Sequence, residues 1–323
     1  MTLPVPVPPA PPTASGALER SVDRARAYAA QARAANTARA YRAAWDAFVG
    51  WCAARALDPW ANDPAAVALF LADEAAAGRK MSTLRLRLAA IAANHRAIGT
   101  PLDTRDARLR AVLAGVARVH GSRPRQAAPL RPAQLRDMVA ALPGTPAGAR
   151  DRALLLLGFA AALRRSELVA LERADVRRDE RGLLLLIRAS KTDQGGEGQE
   201  VAVPKGRSAA TCPVAALDAW LAVRGDGPGP LLRAVSKAGR VLERGLHPGT
   251  VADVVKAAAW RIGLDPALLS GHSLRAGLAT AAAAQGAQLH QIMKQTRHKS
   301  ADVARTYIRE AELWQDNVAG LVL

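Results

Sequence analysis

Between His120 and Pro132 the chain reads HGSRPRQAAPLRP, a stretch through which neither a helix nor a strand runs. Its three prolines lack a backbone donor and push the residues before them out of the helical region, and Gly121 opens it. What lies on either side must fold separately. The chain has 323 residues and half of them are apolar, so each part is long enough to bury a core of its own. Residues 120–129 are expected to be an interdomain linker, on which Arg123 and Arg125 could lie along phosphates. An ordinary exposed loop is the plainer alternative.

Ahead of the break, residues 17–119 are helical in character almost throughout. Ala and Arg dominate, both strong helix formers, and no strand-like run interrupts them. In TARAYRAAWDAFVGWCAARA, Tyr41, Trp45, Phe48 and Trp51 recur at three- and four-residue steps, which puts an apolar stripe on one helix face. Asn62-Asp63-Pro64 reads as a cap followed by proline in the first turn, before the short helix AAVALFLADEAAAG. MSTLRLRLAAIAANHRAIG is a further helix carrying Arg85, Arg87 and Arg96, ended by Gly99 and Pro101. Four or five helices fit here. Residues 1–16, MTLPVPVPPAPPTASG, have neither the basic start nor the long apolar stretch of a secretory signal, and their prolines favour an extended, disordered tail.

Behind the break, residues 130–323 combine helices with the chain's only clear strand text. Residues 132–142 and 149–163 carry helical patterns. GLLLLIRAS, a polar DQGGEGQ turn and EVAVPKG read as a β-hairpin with a long loop. TCPVAALDAWLAVRG returns to helix, and helices continue from Thr250, punctuated at Gly263, Pro266, Gly271 and Gly286. The expected fold is mainly α with one small β-sheet: a helical N-terminal domain, then a mixed α+β C-terminal domain.

Lys and Arg number 45 against 28 Asp and Glu, a net charge of +17. That imbalance points to a polyanionic partner, nucleic acid first and an anionic membrane surface second. A GC-rich genome explains a preference for arginine, but not why the acids fail to balance the bases. Cys52 and Cys212 form no disulfide framework and no zinc spacing, which fits a reducing cytoplasm. The six histidines include no H-x-x-x-H pair, so neither a metal nor a cofactor is expected. No apolar run reaches the roughly eighteen residues of a membrane span.

Cutting a DNA strand without metal or nucleotide needs a nucleophile for phosphorus, cations for the non-bridging oxygens, and an acid for the leaving 5′ oxygen. Arginine suits the second task, because its guanidinium fork matches two phosphate oxygens and stays charged. The second domain offers such a set. ALRRSELVAL holds Arg164 and Glu167, SKTDQ holds Lys191, GHSLRAG holds His272 and Arg275, and RHKSADVARTY holds His298 and Tyr307. His272 and Arg275 are three apart and share a face on a helix that Gly271 and Ser273 place at its start. Each residue has a plainer reading: a surface arginine, a solvated turn lysine, a capping histidine, a packing tyrosine. Among the three tyrosines, Tyr28 and Tyr41 fall on apolar stripes of the first domain, so Tyr307 alone is available to the second.

The order Arg, Lys, His-x-x-Arg, His, Tyr resembles the signature of the tyrosine recombinases of the phage integrase type. The 26 positions from His272 to His298, and the nine from there to Tyr307, match that family. The resemblance covers nearly the whole chain, since TARAYRAAWDAFVGWC is similar to the opening helix of the family's core-binding, SAM-like domain. Two departures stand out. Arg297 precedes His298 where the family usually has glycine, and Ala161-Ala162 stands where Thr-Gly is common.

The resemblance implies a site-specific DNA recombinase. Tyr307 would form a 3′-phosphotyrosyl link, Arg164 and Arg275 would clamp the phosphate, and Lys191 would protonate the leaving 5′ hydroxyl. His272 would move a proton with Tyr307, His298 would hydrogen-bond the phosphate, and Glu167 would hold Arg164 and His272. Arg79, Lys80, Ser82, Thr83, Arg85, Arg87 and Arg96 lie on or before a helix similar to the family's major-groove reader, with contacts to phosphates alone as the alternative. At the carboxyl end, Leu313, Trp314, Val318, Leu321 and Leu323 make an apolar face. It folds back on its own domain or, as the family implies, docks on a neighbour in a tetramer on double-stranded DNA. The expected location is the cytoplasm, at the nucleoid. The rivals are a type IB topoisomerase-like relaxing enzyme and a catalytically silent DNA-binding regulator of the same fold.

Overall fold

The computed structural model of the protein describes residues 14–31, 35–121, 127–188, 198–312 and 319. The chain divides into two compact units between Arg125 and Gln126.

The first unit holds helices α1 (Ala14–Gln31), α2 (Ala35–Ala53), α3 (Pro64–Ala76), α4 (Met81–Ala97) and α5 (Ala107–His120). Side-chain caps set two of the starts. Asp63 accepts the Ala65 N–H at 2.8 Å with Pro64 in the first turn of α3, and Asp106 accepts the Arg108 N–H at 2.9 Å before α5. Helix α2 packs on α4, and α3 on α4 and α5. The stripe expected on α2 faces inward: Phe48 and Cys52 are buried with Phe70, Leu71, Leu84, Ile91 and Leu109, and Trp45 and Trp51 pack at the edge. The Trp45 and Trp60 rings lie 4.5 Å apart between centroids. Tyr28 departs from expectation. It is 74% exposed, and no described residue of α1 belongs to this core. An amphipathic pattern shows which face can be buried, not whether another element reaches it.

The second unit opens with α6 (Pro132–Ala140), α7 (Pro146–Ala160) and α8 (Arg165–Ala170). A sheet follows, of β1 (Val176–Asp179), β2 (Gly182–Ile187) and β3 (Gln199–Pro204), then α9 (Pro213–Arg224). Next come β4 (Arg233–Val235), β5 (Val241–Gly245), α10 (Pro248–Arg261), α11 (His272–Ala284), α12 (Leu289–Thr296) and α13 (Ala301–Glu312). Helix α7 is the centre of this unit: every residue from Ala153 to Gly158 is buried. It starts at Pro146 rather than at residue 149, because the Thr145 hydroxyl accepts the Gly148 N–H at 3.2 Å and proline fits the first turn. Gly158 lets α11 and α8 come close, since a Cβ there would stand 2.8 Å from Leu274 Cδ1 and 3.1 Å from Leu168 Cδ2.

The expected hairpin forms, with β2 and β3 antiparallel and Leu183 opposite Val203, Leu185 opposite Val201. Those four side chains and Ile187 are buried, the alternation that a half-buried sheet requires. The expectation of one sheet needs correction. β1 joins the hairpin as a third strand, and β4 pairs with β5 in a second sheet. Strands of three to five residues, with texts such as VRRD and VLERG, are too short and too charged for a period-two pattern to stand out.

Candidate active site

The site begins where α7 ends. Ala162 turns to φ +48°, and the Leu163 N–H returns to the Gly158 carbonyl at 3.1 Å. This turn delivers Arg164 to the start of α8. Glu167, one turn further on, folds back. Its Oε2 accepts the Arg164 backbone N–H at 2.9 Å, and its Oε1 accepts Arg164 Nη1 at 2.5 Å. Glu167 is 3% exposed, so its charge is compensated by these donors rather than by bulk water.

Two further guanidinium groups converge on the carbonyls exposed by the end of α7. Arg275, from the first turn of α11, is 1% exposed and donates from Nη1 to the Ala162 carbonyl at 2.8 Å. Its Nη2 meets no acceptor among the described residues. Arg297 follows α12 in the left-handed region at φ +57°. It donates from Nη1 to Ala161 O and Gln295 O at 3.0 Å each, and from Nη2 to Glu167 Oε2 at 2.7 Å and Ala162 O at 3.3 Å. Carbonyls at a helix C-terminus lack intrahelical partners and favour positive charge, which is why cations can be held here.

Helix α13 supplies the tyrosine. It packs on α11 and α12, and Tyr307 is buried in a small cluster with Ala276, Ala279, Ala283 and Ile292. The small residues of α11 make room for the ring. Its hydroxyl lies 3.0 Å from His272 Nε2. The His298 ring stacks on Tyr307, with centroids 5.8 Å apart and planes 24° apart. Thr296 fixes that second histidine. Its hydroxyl donates to the Ile292 carbonyl at 2.7 Å and lies 2.8 Å from His298 Nδ1. A hydroxyl has one proton to give, so Nδ1 carries the hydrogen between them, and neutral His298 presents a bare Nε2.

Burial leads the electrostatics, and crowded positive charge adds to it. Burial lowers Arg275 to about 10, helped by Arg164 and Arg297 and opposed by Glu167 and Tyr307. Burial, then Arg275 and Arg164, lower His272. Burial first, then the same two arginines, push His298 down to about 4, so both histidines are neutral at pH 7. For Glu167, burial acts upward but is outweighed by the Arg164 N–H and by the charges of Arg297 and Arg164, which keep it ionised. Such an arrangement can hold a phosphate diester and offer it a phenol already hydrogen-bonded to a neutral imidazole.

Arg164, Glu167, His272, Arg275, His298 and Tyr307 are thus brought together, while Lys191 lies outside the described residues. So do Arg123, Arg125 and the apolar tail residues Leu313, Trp314, Val318, Leu321 and Leu323. In the first unit Arg79, Lys80, Ser82, Arg85 and Arg96 are exposed, and Thr83 is half-buried. Arg87 points inward instead: its Nη2 lies 2.6 Å from Glu74 Oε2 and its guanidinium sits over the Phe70 ring. Sequence reasoning missed Thr296 altogether and saw Arg297 only as a departure. The available signal was a long cation in a glycine position beside a site histidine. Among the described residues no cluster of His, Cys, Asp or Glu could hold a metal ion, and no helix is long and apolar enough to cross a membrane.

A tyrosine held by a histidine beside paired guanidinium groups, on a mixed domain behind a helical one, defines the class of the tyrosine recombinases. Comparison with known proteins agrees. The Phage integrase family model matches residues 129–313. An integrase/recombinase xerD homolog of Selenomonas ruminantium is 33% identical over 306 residues, 93% of this chain and 89% of the relative. Tyrosine recombinase XerD of Xanthomonas axonopodis pv. citri (strain 306) is 35% identical over 171 residues, 50% of this chain and 52% of its own length. Among solved structures, XerH site-specific recombinase bound to its palindromic difH substrate superposes with a TM-score of 0.59 at 18% identity, over 80% of this chain and 71% of that one. A lambda integrase dimer bound to a core site gives 0.58 at 18% identity, over 90% and 94%. The chain belongs to the phage integrase family, whose members break and rejoin DNA strands at specific sites.

Proposed function

We propose that Tyr307 attacks the scissile phosphate of double-stranded DNA and becomes joined to its 3′ side, while Arg164 and Arg275 hold the non-bridging oxygens. The 3.0 Å approach of the Tyr307 hydroxyl to His272 Nε2, beside an Arg275 with a free buried N–H, carries this reading. Neutral His272 accepts the phenolic proton as the oxygen turns on phosphorus. Burial first, and then neighbouring cations, hold His298 low; an arriving phosphate offsets the cations and offers Nε2 an anionic partner, so that it gains a proton and donates to a phosphate oxygen. Lys191 protonates the leaving 5′ oxygen. The new ester retains the energy of the old one, so a 5′ hydroxyl of a second duplex reverses the step without nucleotide or metal.

The exposed Arg79, Lys80, Ser82, Arg85 and Arg96, with Thr83, contact DNA, while Arg87 serves the helix from within. Four copies act on two duplexes, with the residues from Leu313 onward as the exchanged segment. This assembly draws support from lambda integrase, which is a tetramer on a Holliday junction. Work on chromosomal DNA would place the chain in the cytoplasm at the nucleoid.

The test uses a nicked duplex bearing a site selected by the protein from a random pool. The wild type should accumulate a covalent adduct, and Tyr307→Phe should bind the same DNA and form none. An adduct that persists in Tyr307→Phe sinks the assignment, and no adduct in either case points to a silent regulator. Relaxation of plasmids lacking the site would favour the topoisomerase-like reading.

A further inference from the structure

We propose that Arg297 is a positioning residue for the reaction: it orients Glu167 so that Arg164 is aimed at the phosphate, and it leaves the three groups with a net positive charge. The proposal rests on the reading of Arg164 as a phosphate clamp. Three observations carry it.

The first is the sharing of one carboxylate. Glu167 accepts Arg164 through both oxygens, and Arg297 Nη2 shares Oε2 at 2.7 Å. With three donors converging, the carboxylate plane is fixed, and so is Arg164 Nη1. Without Arg297 both of the carboxylate's remaining donors among the described residues belong to Arg164, so the carboxylate and the clamp can shift as a pair.

The second is charge. Glu167 alone would cancel Arg164 within a pocket that has to bind an anion. Arg297 offsets the same carboxylate, so the three groups together remain cationic, and the field at the phosphate survives the anchoring of its clamp.

The third is backbone conformation. Arg297 holds φ +57°, where a side chain other than glycine is strained, and its guanidinium is tied to Ala161 O, Ala162 O and Gln295 O. A turn alone would be served better by glycine. The strained residue stands where its side chain reaches the carboxylate beneath Arg164. Arg297 touches no reacting atom and acts through Glu167.

The experiment measures DNA affinity and single-turnover adduct formation on the selected nicked duplex, with thermal melting to verify folding. Arg297→Gly keeps the turn, because glycine takes the left-handed conformation freely. It should slow adduct formation on the order of 10²-fold while leaving the Kd within about threefold, as misplacement of a positioned group does. Arg297→Lys should recover only part of the rate, since an ammonium cannot fork between Glu167 and three carbonyls. Glu167→Gln should cause a loss of similar size, and combining it with Arg297→Gly should add little, because both break one link. Adduct formation by Arg297→Gly within about threefold of wild type overturns the proposal, as do losses that multiply in the double variant. Should Arg297→Gly not fold at the assay temperature, Arg297→Lys decides, and a wild-type rate there overturns the proposal. If the wild type itself forms no adduct, the recombinase reading fails separately. The inference is then decided by a crystal structure of Arg297→Gly, where an unchanged Arg164–Glu167 geometry overturns it.

Discussion

The two units bury different things. In the first, the interior is built from rings and aliphatic chains, and His95 is the only described buried residue that can carry charge. Its ion pairs lie near the surface, as Arg55 with Asp73 does at 2.7 Å, except that of Arg87 with Glu74, which turns inward. In the second, Arg150, Glu167, Asp175, Arg224, Arg233, Arg275 and Arg297 are all buried. Removing a guanidinium from water costs several kcal/mol unless hydrogen bonds replace hydration. For Arg275 and Arg297 the second unit accepts that cost just past the end of α7, where carbonyls and Glu167 receive them. The lesson is that the first unit is optimised for packing and the second, locally, for holding cations away from water.

That contrast can be broken by measurement. Phe70 packs between Phe48, Trp51 and Arg87, so Phe70→Ala should destabilise the first unit by about 3–5 kcal/mol in urea unfolding. A loss below 1 kcal/mol would show that ring packing does not hold that unit. Arg275→Ala should leave folding intact but lower the single-turnover cleavage rate on the order of 10²–10³-fold, as removing one preorganised donor does. A tenfold effect or less would move the clamp elsewhere.

The histidines sharpen the comparison through pH. The unfolded chain binds a proton on His298 near pH 6.5, whereas the folded pocket refuses it until about 4. Stability from this group is therefore complete above pH 6.5 and is lost as pH falls towards 4, by at most about 3 kcal/mol. His298→Gln should remove that component, read as a smaller difference between unfolding at pH 7 and at pH 4.5. Ala162 is the next test. It is fully buried at φ +48°, so Ala162→Gly should relieve strain and stabilise the second unit by about 1 kcal/mol. The smallest effect is expected at the exposed pair: Asp73→Ala should change stability by less than about 1 kcal/mol, even though it also receives the Trp51 indole N–H.

Much of this was legible in the sequence, for reasons that differ by element. The inner face of α2 and the β2–β3 hairpin could be read because their patterns run long enough to establish a period. The set Arg164, Glu167, His272, Arg275, His298 and Tyr307 was visible because side-chain chemistry and spacing coincide. What could not be read belongs to the backbone. Two departures from the family pattern, Ala162 and Arg297, both fall at positive φ, where the family's glycines would be unstrained. Nothing in the letters reports that the carbonyls of Ala161 and Ala162 are the acceptors for two buried cations. Nor does local text show that Arg87 turns inward to Glu74, since that contact joins two helices.

The peptide plane between Ala162 and Leu163 has a further consequence. Its carbonyl receives both Arg275 and Arg297, and its N–H is held by Gly158. It cannot rotate without releasing all three hydrogen bonds together. The floor of the site is therefore a product of folding, and the entropy lost in ordering it is lost once, as the chain folds, instead of at every binding event.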